Sequence, residues 1–456
     1  MALWQPQPSS SIQNNKAKGK SMSPELLTAG MFGLLLAFII AGVSLAFALG
    51  AVATIFILIM NGTGGLFPIL SATFASMWSI SLAAIPLFVM MGISLGKSKI
   101  ATDLYRAFYL WSGKVNGGLL VGTTGFASLL SAMTGSCAAS TLTTGMVGMP
   151  AMEKHGYDKK LVLGTIGAAG TLGILIPPSI TLIVIGMSTG LSIGKLFMGG
   201  LIAGLGMLVV ILGYVIVTAN LRPEKAPASV ESVPMSEKIR SLRSIVLPMV
   251  IISVVLLSIF LGMATPTEAS AVGAAAVLAA IAIRGELNWS FIKEVSYSTA
   301  TMSGMVIWII FGASAFVSVY SAANGINFVQ SFLLSLEISP WLLILVMQGA
   351  GFILGMFLDP IGIILLVMPI FMPVVVELGF DPIWFAVIFQ LNLCVGYISP
   401  PFGYNIFYLK TLSPQTPILD LYKSVLPYVV LMILFGIFLL AFPSILTEGV
   451  NLLTKA

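Results

Sequence analysis

The chain has 456 residues, a formal net charge of +5, 58% hydrophobic residues and only 8% charged residues. Soluble domains carry about 25% charged residues, so this composition excludes a soluble globular protein. The apolar residues also come in blocks long enough to cross a bilayer, which takes about 20 residues for each helix. The sequence therefore predicts an all-α polytopic membrane protein.

Cysteine and histidine are too scarce for several kinds of chemistry. The two cysteines, Cys137 and Cys394, lie in apolar segments and cannot form a disulfide framework or a CxxC metal site. His155 is the only histidine, which disfavours a membrane-embedded enzyme that needs a histidine or paired acids at one face. The sequence has no GxxxxGKS or GxxxxGKT motif, which argues against ATP hydrolysis. We expect a protein that is not an enzyme.

The chain begins with a polar tail, residues 1–25, that lacks the continuous apolar region of a cleavable signal and is expected to be disordered. Apolar blocks follow at about 26–60, 75–96, 116–150, 161–187, 196–219, 244–284, 301–322, 340–376, 382–409 and 424–446. The most polar internal segment, 220–243, is predicted to be a cytoplasmic linker. It separates a first half, 26–219, from a second half, 244–446, and a C-terminal tail follows at 447–456. The basic residues lie mainly in such connections, which indicates topology and not nucleic-acid binding.

Two of these blocks are too long for one membrane-spanning helix. A helix of 35 residues, the length of block 26–60, would measure about 52 Å against a hydrocarbon core of about 30 Å. Blocks 26–60 and 244–284 are therefore each predicted to be a pair of helices. The breaks are expected at Gly42-Val43-Ser44 and at Thr265-Pro266-Thr267, where Thr265 and Glu268 have the spacing of a capping box.

A shift of 223 positions aligns the two halves at residues that determine backbone geometry. The identical pairs are Gly50 and Gly273, Met133 and Met356, Pro150 and Pro373, Gly156 and Gly379, Asp158 and Asp381, Gly173 and Gly396, and the doublets Pro177-Pro178 and Pro400-Pro401. A chance match of hydrophobic blocks would align Leu and Val but would not align a Pro-Pro doublet. The sequence therefore predicts an internal duplication.

Each half has one block that is interrupted at its centre and is predicted to be a re-entrant helical hairpin. Block 116–150 is interrupted at Thr134-Gly135-Ser136 and has Lys and Arg on both sides, whereas block 340–376 is interrupted at Leu358-Asp359-Pro360 and has none nearby. Because basic residues favour the cytoplasmic side, the first hairpin is predicted to enter from the cytoplasm and the second from the opposite side. That arrangement is an inverted repeat, which places a transported solute near the bilayer midplane.

The inversion requires an odd number of crossings in each half. Five crossings satisfy this condition and place both termini outside the cytoplasm. Lys16, Lys18 and Lys20 instead favour a cytoplasmic N-terminus. We give the whole-chain symmetry more weight than one short tail.

The Pro-Pro doublets predict a broken membrane helix in each half, within 161–187 and 382–409. Proline removes a backbone donor and frees a carbonyl one turn back, and unpaired backbone groups inside a membrane need a partner. Free carbonyls beside side-chain oxygens suit a hard cation, and free helix N-termini attract an anion. The spacing from hairpin tip to doublet is 41 residues in both halves, from 136 to 177 and from 359 to 400. The pattern predicts a cation-coupled carrier of an anionic solute.

Asp359 is the most informative single residue, because an acid in the middle of an apolar block is costly and usually functional. It is predicted to bind a cation and to cap the helix that follows it. Asp158 and Asp381 lie at block ends and are interpreted as N-caps. Asn392 and Asn405 flank the second doublet, where each could offer an oxygen to a site or form an interhelical hydrogen bond.

Two amphipathic stretches, 99–114 and 286–299, complete the predicted elements. Either could lie flat at the membrane interface. In a rigid-body carrier they would brace a static scaffold against a moving core; alternatively, they are plain interfacial connectors.

Several motifs now stand in a fixed order along the chain. They are TGSCA (134–138), PAM to GYD (150–158), GTLGILIPPS (170–179), SIGKLF (192–197), TPTEA (265–269), GMFLDP (355–360) and NL to SPPFG (392–403). This series resembles the large membrane subunit of tripartite ATP-independent periplasmic (TRAP) transporters, over residues 26–446. The polar N-terminal extension is not part of the pattern. Cys137 stands where a hydroxyl or glycine is frequent, which makes its side chain a poor ligand.

The resemblance implies an ion-transporter-superfamily fold with an elevator mechanism, in which a transport domain moves against a scaffold. It also implies symport with Na⁺, with two or more coupling ions, each held near a hairpin tip and its partner helix break. The residues implied as cation ligands are Ser136, Thr171 and Gly173 in the first half, and Gly355, Asp359, Gly396 and Ser399 in the second. The candidate substrate-binding residues are Thr134, Gly135, Ser179, Asn392 and Asn405.

The resemblance further implies partners and a location. The family works with a small four-helix membrane subunit and a periplasmic substrate-binding protein in the bacterial inner membrane, and it imports organic acids such as C4-dicarboxylates or sialic acid. The alternative is a stand-alone cation-coupled carboxylate carrier of the same fold.

Overall fold

The computed structural model describes residues 23–112, 115–228 and 234–455. Most of the predicted N-terminal tail, the end of the amphipathic stretch 99–114 and the middle of the predicted linker lie outside these ranges. Within them the structure has twenty α-helices and no β-strand, which confirms the all-α class. The helices are α1 Pro24–Ile40, α2 Leu45–Asn61, α3 Leu66–Met77, α4 Ala84–Lys97, α5 Lys99–Trp111, α6 Gly118–Thr134, α7 Cys137–Lys154, α8 Lys159–Thr171, α9 Ile180–Thr189, α10 Ile193–Leu221, α11 Met235–Phe260, α12 Pro266–Ile283, α13 Trp289–Ala322, α14 Gly325–Ser335, α15 Pro340–Gly355, α16 Pro360–Glu377, α17 Pro382–Ile398, α18 Tyr404–Leu412, α19 Ile418–Ala441 and α20 Ser444–Lys455.

The outer surface has the apolar character of a membrane protein. Eight helical segments in the described ranges are long and apolar enough to cross a bilayer. Large hydrophobic side chains project from them, and Phe67, Val209 and Ile283 are 74%, 68% and 88% exposed. Such surfaces are rare on soluble monomers and are stable against lipid. These observations confirm a polytopic membrane protein.

The two long blocks are divided where the sequence predicts. Helix α1 ends at Ile40 and α2 begins at Leu45, while α11 ends at Phe260 and α12 begins at Pro266. The backbone N–H of Glu268 donates to the Thr265 hydroxyl over 3.3 Å, and the Glu268 carboxylate accepts the Thr265 backbone N–H over 2.8 Å. This reciprocal capping box satisfies two backbone donors at the start of α12 and so determines where the helix begins.

Corresponding helices of the two halves begin at the predicted offset of 223. Helices α7 and α16 begin at 137 and 360, and α8 and α17 begin at 159 and 382. Asp158 and Asp381 cap the second pair, each accepting a backbone N–H three residues later. Gly156 and Gly379 both have left-handed backbone, with φ of 75° and 77°. These shared starts support the duplication; the opposite orientation of the halves remains a prediction.

The structure differs from the sequence interpretation at the second amphipathic stretch. Residues 289–299 are the first turns of α13, which continues without a break for 34 residues. The stretch 286–299 is therefore not a separate interfacial helix. In the first half, the residues at the same offset form α3, a short 3-10 turn at 80–83 and then α4.

The first amphipathic stretch does form a separate helix, α5. Leu104 and Ala107 on one face are fully buried, whereas the Arg106 side chain on the other is 69% exposed. Polar contacts join this part of the chain to the first turns of α13 and to the connection before it. The Lys97 ammonium lies 2.5 Å from Glu294 in α13, and the Lys99 backbone N–H donates to Glu286 in the connection over 2.8 Å. The predicted bracing role remains a prediction.

The ends of the predicted linker belong to structured elements. Helix α10 extends to Leu221 and α11 begins at Met235. Between them, the carbonyls of Lys225 and Ala226 accept the backbone N–H groups of Asp158 and Gly117, both over 2.8 Å. These bonds attach the connection to the base of the first hairpin. At the C-terminus, residues 447–455 continue α20.

Candidate functional site at the paired helix breaks

The first site is built from a hairpin tip, residues 134–137, and the first break, residues 172–179. Helix α6 ends at Thr134 and α7 begins at Cys137, so the helix is interrupted where the sequence predicts. Gly135 ends α6 with a left-handed φ of 59°, a conformation that favours glycine. A Cβ atom on Gly135 would lie 2.6 Å from the Pro178 carbonyl oxygen. The tip therefore packs directly against the Pro-Pro doublet.

Gly173 forms a second close approach between the first break and the first tip. A Cβ atom on Gly173 would lie 2.7 Å from the Ser136 carbonyl oxygen and 3.1 Å from the Cys137 backbone nitrogen. Only glycine allows this contact. Thr171 is fully buried, and its hydroxyl donates to the Ala168 carbonyl over 2.8 Å. The structure thus brings Ser136 and Gly173 together, while the Thr171 hydroxyl bonds within its own helix.

The second site repeats this arrangement with a second tip, residues 355–359, and a second break, residues 396–403. A Cβ atom on Gly396 would lie 2.9 Å from the Gly355 Cα atom. The Gly403 backbone N–H donates to the Met356 carbonyl over 3.1 Å, which ties the break to the tip. The buried Ser399 hydroxyl donates to the Val395 carbonyl over 2.7 Å. The predicted residues Gly355 and Gly396 are therefore adjacent.

Asp359 supplies the only carboxylate in these two tips and breaks. It is the N-cap of α16, and its Oδ1 accepts the Ile361 backbone N–H over 2.9 Å. This contact confirms the predicted capping role and leaves the second carboxylate oxygen for another partner. The side chain is partly buried. A cation role for Asp359 remains a prediction.

Two amide side chains join the second half to the first. The Gln390 Nε2 donates to the Ile174 carbonyl in the first break over 3.0 Å. The Asn405 Nδ2 donates to the Gly167 carbonyl on α8 over 2.6 Å. Because both contacts cross from one half to the other, they hold the two breaks in one assembly.

The remaining oxygens of these amides are unusual. Gln390 and Asn405 are fully buried, and among the described residues their side-chain oxygens have no hydrogen-bond partner. A buried unpaired acceptor is costly, so each one needs a partner or a function. Gln390 was not predicted from the sequence, although it and Asn392 are the two amides of the otherwise apolar helix α17, and polar residues in such a helix often mark a functional position.

The other candidate substrate residues fall into two groups. Thr134, Gly135 and Ser179 lie at the first tip and break, where the Ser179 hydroxyl donates to the Ile174 carbonyl over 2.7 Å. The Thr134 hydroxyl donates to the Leu130 carbonyl over 2.9 Å. Asn392 instead points toward α15, where its Nδ2 donates to the Gln348 Oε1 over 2.6 Å. Of the two roles open to Asn392, the structure contains the interhelical hydrogen bond.

Aromatic residues also bridge the second tip and break, which the sequence analysis did not anticipate. The rings of Phe357 and Phe402 have centroids 5.4 Å apart, and those of Tyr397 and Tyr404 stack at 5.5 Å. These pairs bury apolar surface across the break. The Phe357–Phe402 pair stabilises the approach of the tip to the break, whereas the Tyr397–Tyr404 pair joins α17 to α18.

The chemistry available at both sites is that of oxygen donors. No group of three or more His, Cys, Asp or Glu side chains that could hold a metal occurs among the described residues. Backbone carbonyls, hydroxyls and one carboxylate are hard ligands, which suit hard cations better than transition metals. The Ser136 side chain makes no capping hydrogen bond to α7. The donors present at the two sites are therefore of the kind that suits a hard cation.

Comparison with known proteins gives a consistent result. Residues 32–445 match the family model described as "Tripartite ATP-independent periplasmic transporter, DctM component". The C4-dicarboxylate TRAP transporter large permease protein DctM of Pseudomonas aeruginosa is 31% identical over 368 residues, 80% of this chain and 85% of that protein. The ectoine TRAP transporter large permease protein TeaC of Halomonas elongata is 28% identical over 424 residues, 92% of this chain and 97% of that protein.

A solved structure shares the fold. The YdaH transporter of Alcanivorax borkumensis aligns with a TM-score of 0.62, covering 92% of this chain and 98% of that chain. The sequence identity is 16%, so the likeness concerns the fold alone. Similarity in sequence and similarity in fold thus agree on a transporter architecture.

Proposed function

This chain belongs to the DctM component family of TRAP transporters, and on that premise we propose that it imports a small organic acid together with Na⁺. Its relatives are transporter permeases and not enzymes. The observation that carries the proposal is the paired arrangement of tip and break in each half, with Ser136 against Gly173 and Gly355 against Gly396. Such discontinuous helices place binding groups within the membrane.

Sodium coupling rests on the kind of donor at the two sites. The first tip offers backbone carbonyls beside the Ser136 and Thr134 hydroxyls, and the second offers carbonyls beside the Asp359 carboxylate. Ions held mainly by neutral oxygens bind and leave readily, as a coupling ion must. We expect at least one Na⁺ at each tip. The charge of Asp359 makes the second site the stronger one.

The substrate is proposed to be a small carboxylate, such as a C4-dicarboxylate or sialic acid. The helix starts at Cys137, Ile180 and Pro360 point positive dipole ends toward the breaks, which favours an anion there. Two relatives carry C4-dicarboxylate and ectoine in their names, and these names support a small organic acid as the substrate of this chain. The side-chain oxygens of Thr134, Ser136 and Asp359 at the tips would then select among such acids.

The proposed partners follow from the family. We expect a small four-helix membrane subunit and a periplasmic substrate-binding protein that delivers the acid, with the complex in the bacterial inner membrane. The second candidate is a stand-alone carrier of the same fold, and the YdaH likeness is the observation that favours it, because that chain is a transporter of similar extent.

Reconstituted uptake distinguishes these candidates. Proteoliposomes containing this chain, the small subunit and the binding protein would be given a panel of radiolabelled acids, with and without a Na⁺ gradient. The proposal expects uptake of one class of acid only with all three components and with inward Na⁺. Uptake by this chain alone would favour the stand-alone carrier, and uptake indifferent to Na⁺ would exclude the coupling.

An elevator mechanism predicts that Cys137 changes its accessibility during transport. Cys137 at the first tip is 2% exposed and Cys394 in the core of α17 is 1% exposed. In a Cys394→Ser variant, we expect the maleimide labelling rate of Cys137 to change by about tenfold when Na⁺ and substrate are added, because the ligands shift the population of the open state. The Cys137→Ser variant, which keeps Cys394, is the matched control. If the labelling rate of Cys137 is the same with and without Na⁺ and substrate, the first hairpin does not move during transport.

A further inference from the structure

A large groove lies between α5, α11 and α12, away from the paired helix breaks. Its volume is about 1560 Å³, which exceeds the roughly 300–1,000 Å³ of small-molecule pockets. One end of the groove is apolar and is lined by Val246, Leu247, Val250, Ala276 and Ala279. The other end is charged and is lined by Asp103, Arg106, Glu237, Arg240, Arg243 and Arg284.

The acidic residues at the charged end are already neutralised. Arg106 lies 2.9 Å from Glu237. Arg284 pairs with Asp103 and also lies 2.9 Å from Glu286. These pairs account for both carboxylates that line the groove.

Glu286, beside the groove, is likewise engaged. Partial burial raises its pKa, but hydrogen bonds from the Lys99 backbone N–H and from the Arg284 guanidinium lower the pKa by more, so the pKa lies below its usual value. The carboxylate therefore stays ionised and paired with Arg284. It is not available to the two arginines on α11.

Arg240 and Arg243 remain with unused positive charge. Both side chains belong to exposed residues on the first turns of α11. Among the described residues neither forms an ion pair. An anion could reach both of them from the groove.

The groove also follows the polarity of a membrane interface. Along α11 the residues from 235 to 243 carry the charges, and those from 245 to 260 are almost all apolar. The Trp111 indole N–H donates to the Lys238 carbonyl over 3.0 Å at the charged end, and tryptophan is enriched at the level of lipid headgroups. The groove is therefore charged at one end and apolar at the other, as a phospholipid is.

We propose that this groove binds an anionic phospholipid, with its phosphate at Arg240 and Arg243 and an acyl chain along Val250, Ala276 and Ala279. Basic pockets between membrane helices bind anionic headgroups. The groove is lined by the consecutive helices α11 and α12 and by α5 from the first half of the chain, so a bound lipid holds α5 against α11 and α12.

Native mass spectrometry of the purified full chain tests the headgroup contact, with phosphatidylglycerol and phosphatidylcholine as the two probes. We expect retained phosphatidylglycerol, and about 30-fold weaker binding in the Arg240→Ala/Arg243→Ala variant, from two basic contacts of typical strength. Arg222→Ala is the matched control, because Arg222 is exposed but does not line the groove. The proposal would be overturned if the double variant kept normal phosphatidylglycerol binding, or if Arg222→Ala lost as much phosphatidylglycerol binding as the double variant.

The apolar wall provides an independent test that leaves the arginines in place. Ala279 is an exposed residue of the groove, whereas Ala271 is exposed on the same helix outside it. Ala279→Trp is expected to block the acyl chain and weaken phosphatidylglycerol binding about tenfold, by loss of several buried methylene groups; Ala271→Trp should not. Glycerol 3-phosphate that displaces the lipid at equal concentration would indicate a simple anion site. A small membrane subunit that occupies the groove without lipid would also refute the assignment.

Discussion

Replacing Asp359 with Asn is expected to weaken the apparent affinity for Na⁺ about 30-fold or more, since losing one partner of a buried charge pair typically costs about 2–5 kcal/mol. The substitution removes the charge but keeps the shape of the side chain. Asn is as good an N-cap as Asp, so the hydrogen bond to the Ile361 backbone N–H and the start of α16 should survive. The measurement is the Na⁺ dependence of uptake in proteoliposomes.

The matched control for this prediction is Asp381→Asn. Asp381 caps α17 as Asp359 caps α16, with its Oδ1 accepting the Trp384 backbone N–H over 2.8 Å, but it lies at the end of its block and away from the tip. Its Na⁺ dependence should match that of the unmodified chain. If Asp359→Asn also keeps a normal Na⁺ dependence, the carboxylate has no part in ion binding.

The helix breaks could be predicted because the residues that make them act locally. Gly135 is needed for a left-handed turn, and Thr265 with Glu268 forms a capping box within four residues. Asp359 followed by proline has the pattern of a helix start. Each of these signals depends on neighbours in the sequence, so no knowledge of the packing was needed. The family resemblance then supplied the pairing of tips with breaks.

The contacts between the halves could not be predicted in the same way. Gln390 meets a carbonyl 216 positions away in the sequence, and Asn392, only two residues later, faces a different helix. Which side of α17 faces the first half depends on the packing of the whole assembly. The continuous helix α13 could not be predicted either. The amphipathic pattern at 286–299 is compatible both with a separate interfacial helix and with the first turns of a longer helix, and the structure has the second.

The second large effect is expected at Gly173, where the first break lies close against the backbone of the first tip. In Gly173→Ala the new Cβ atom would lie 2.7 Å from the Ser136 carbonyl oxygen and 2.8 Å from its carbonyl carbon. Both are backbone atoms and cannot turn aside as a flexible side chain would, so the tip must shift. Overpacking typically costs about 1–3 kcal/mol. If this cost falls on the ion-bound arrangement of the first site, the affinity for the ion decreases by about 5- to 150-fold.

Gly213→Ala is the matched control, because a Cβ atom on Gly213 in α10 would have no neighbour within 4 Å. It should be neutral in uptake, and its higher helix propensity should leave the melting temperature unchanged or slightly raised. Gly396→Ala tests the other half, where the Cβ atom would lie 2.9 Å from the Gly355 Cα atom. Parallel losses of Na⁺ affinity in both variants, in protein that still folds and inserts, would mean that each half needs its tip closed against its break. Normal uptake by Gly173→Ala would mean that the contact is only packing, and the ion site would then have to be sought elsewhere.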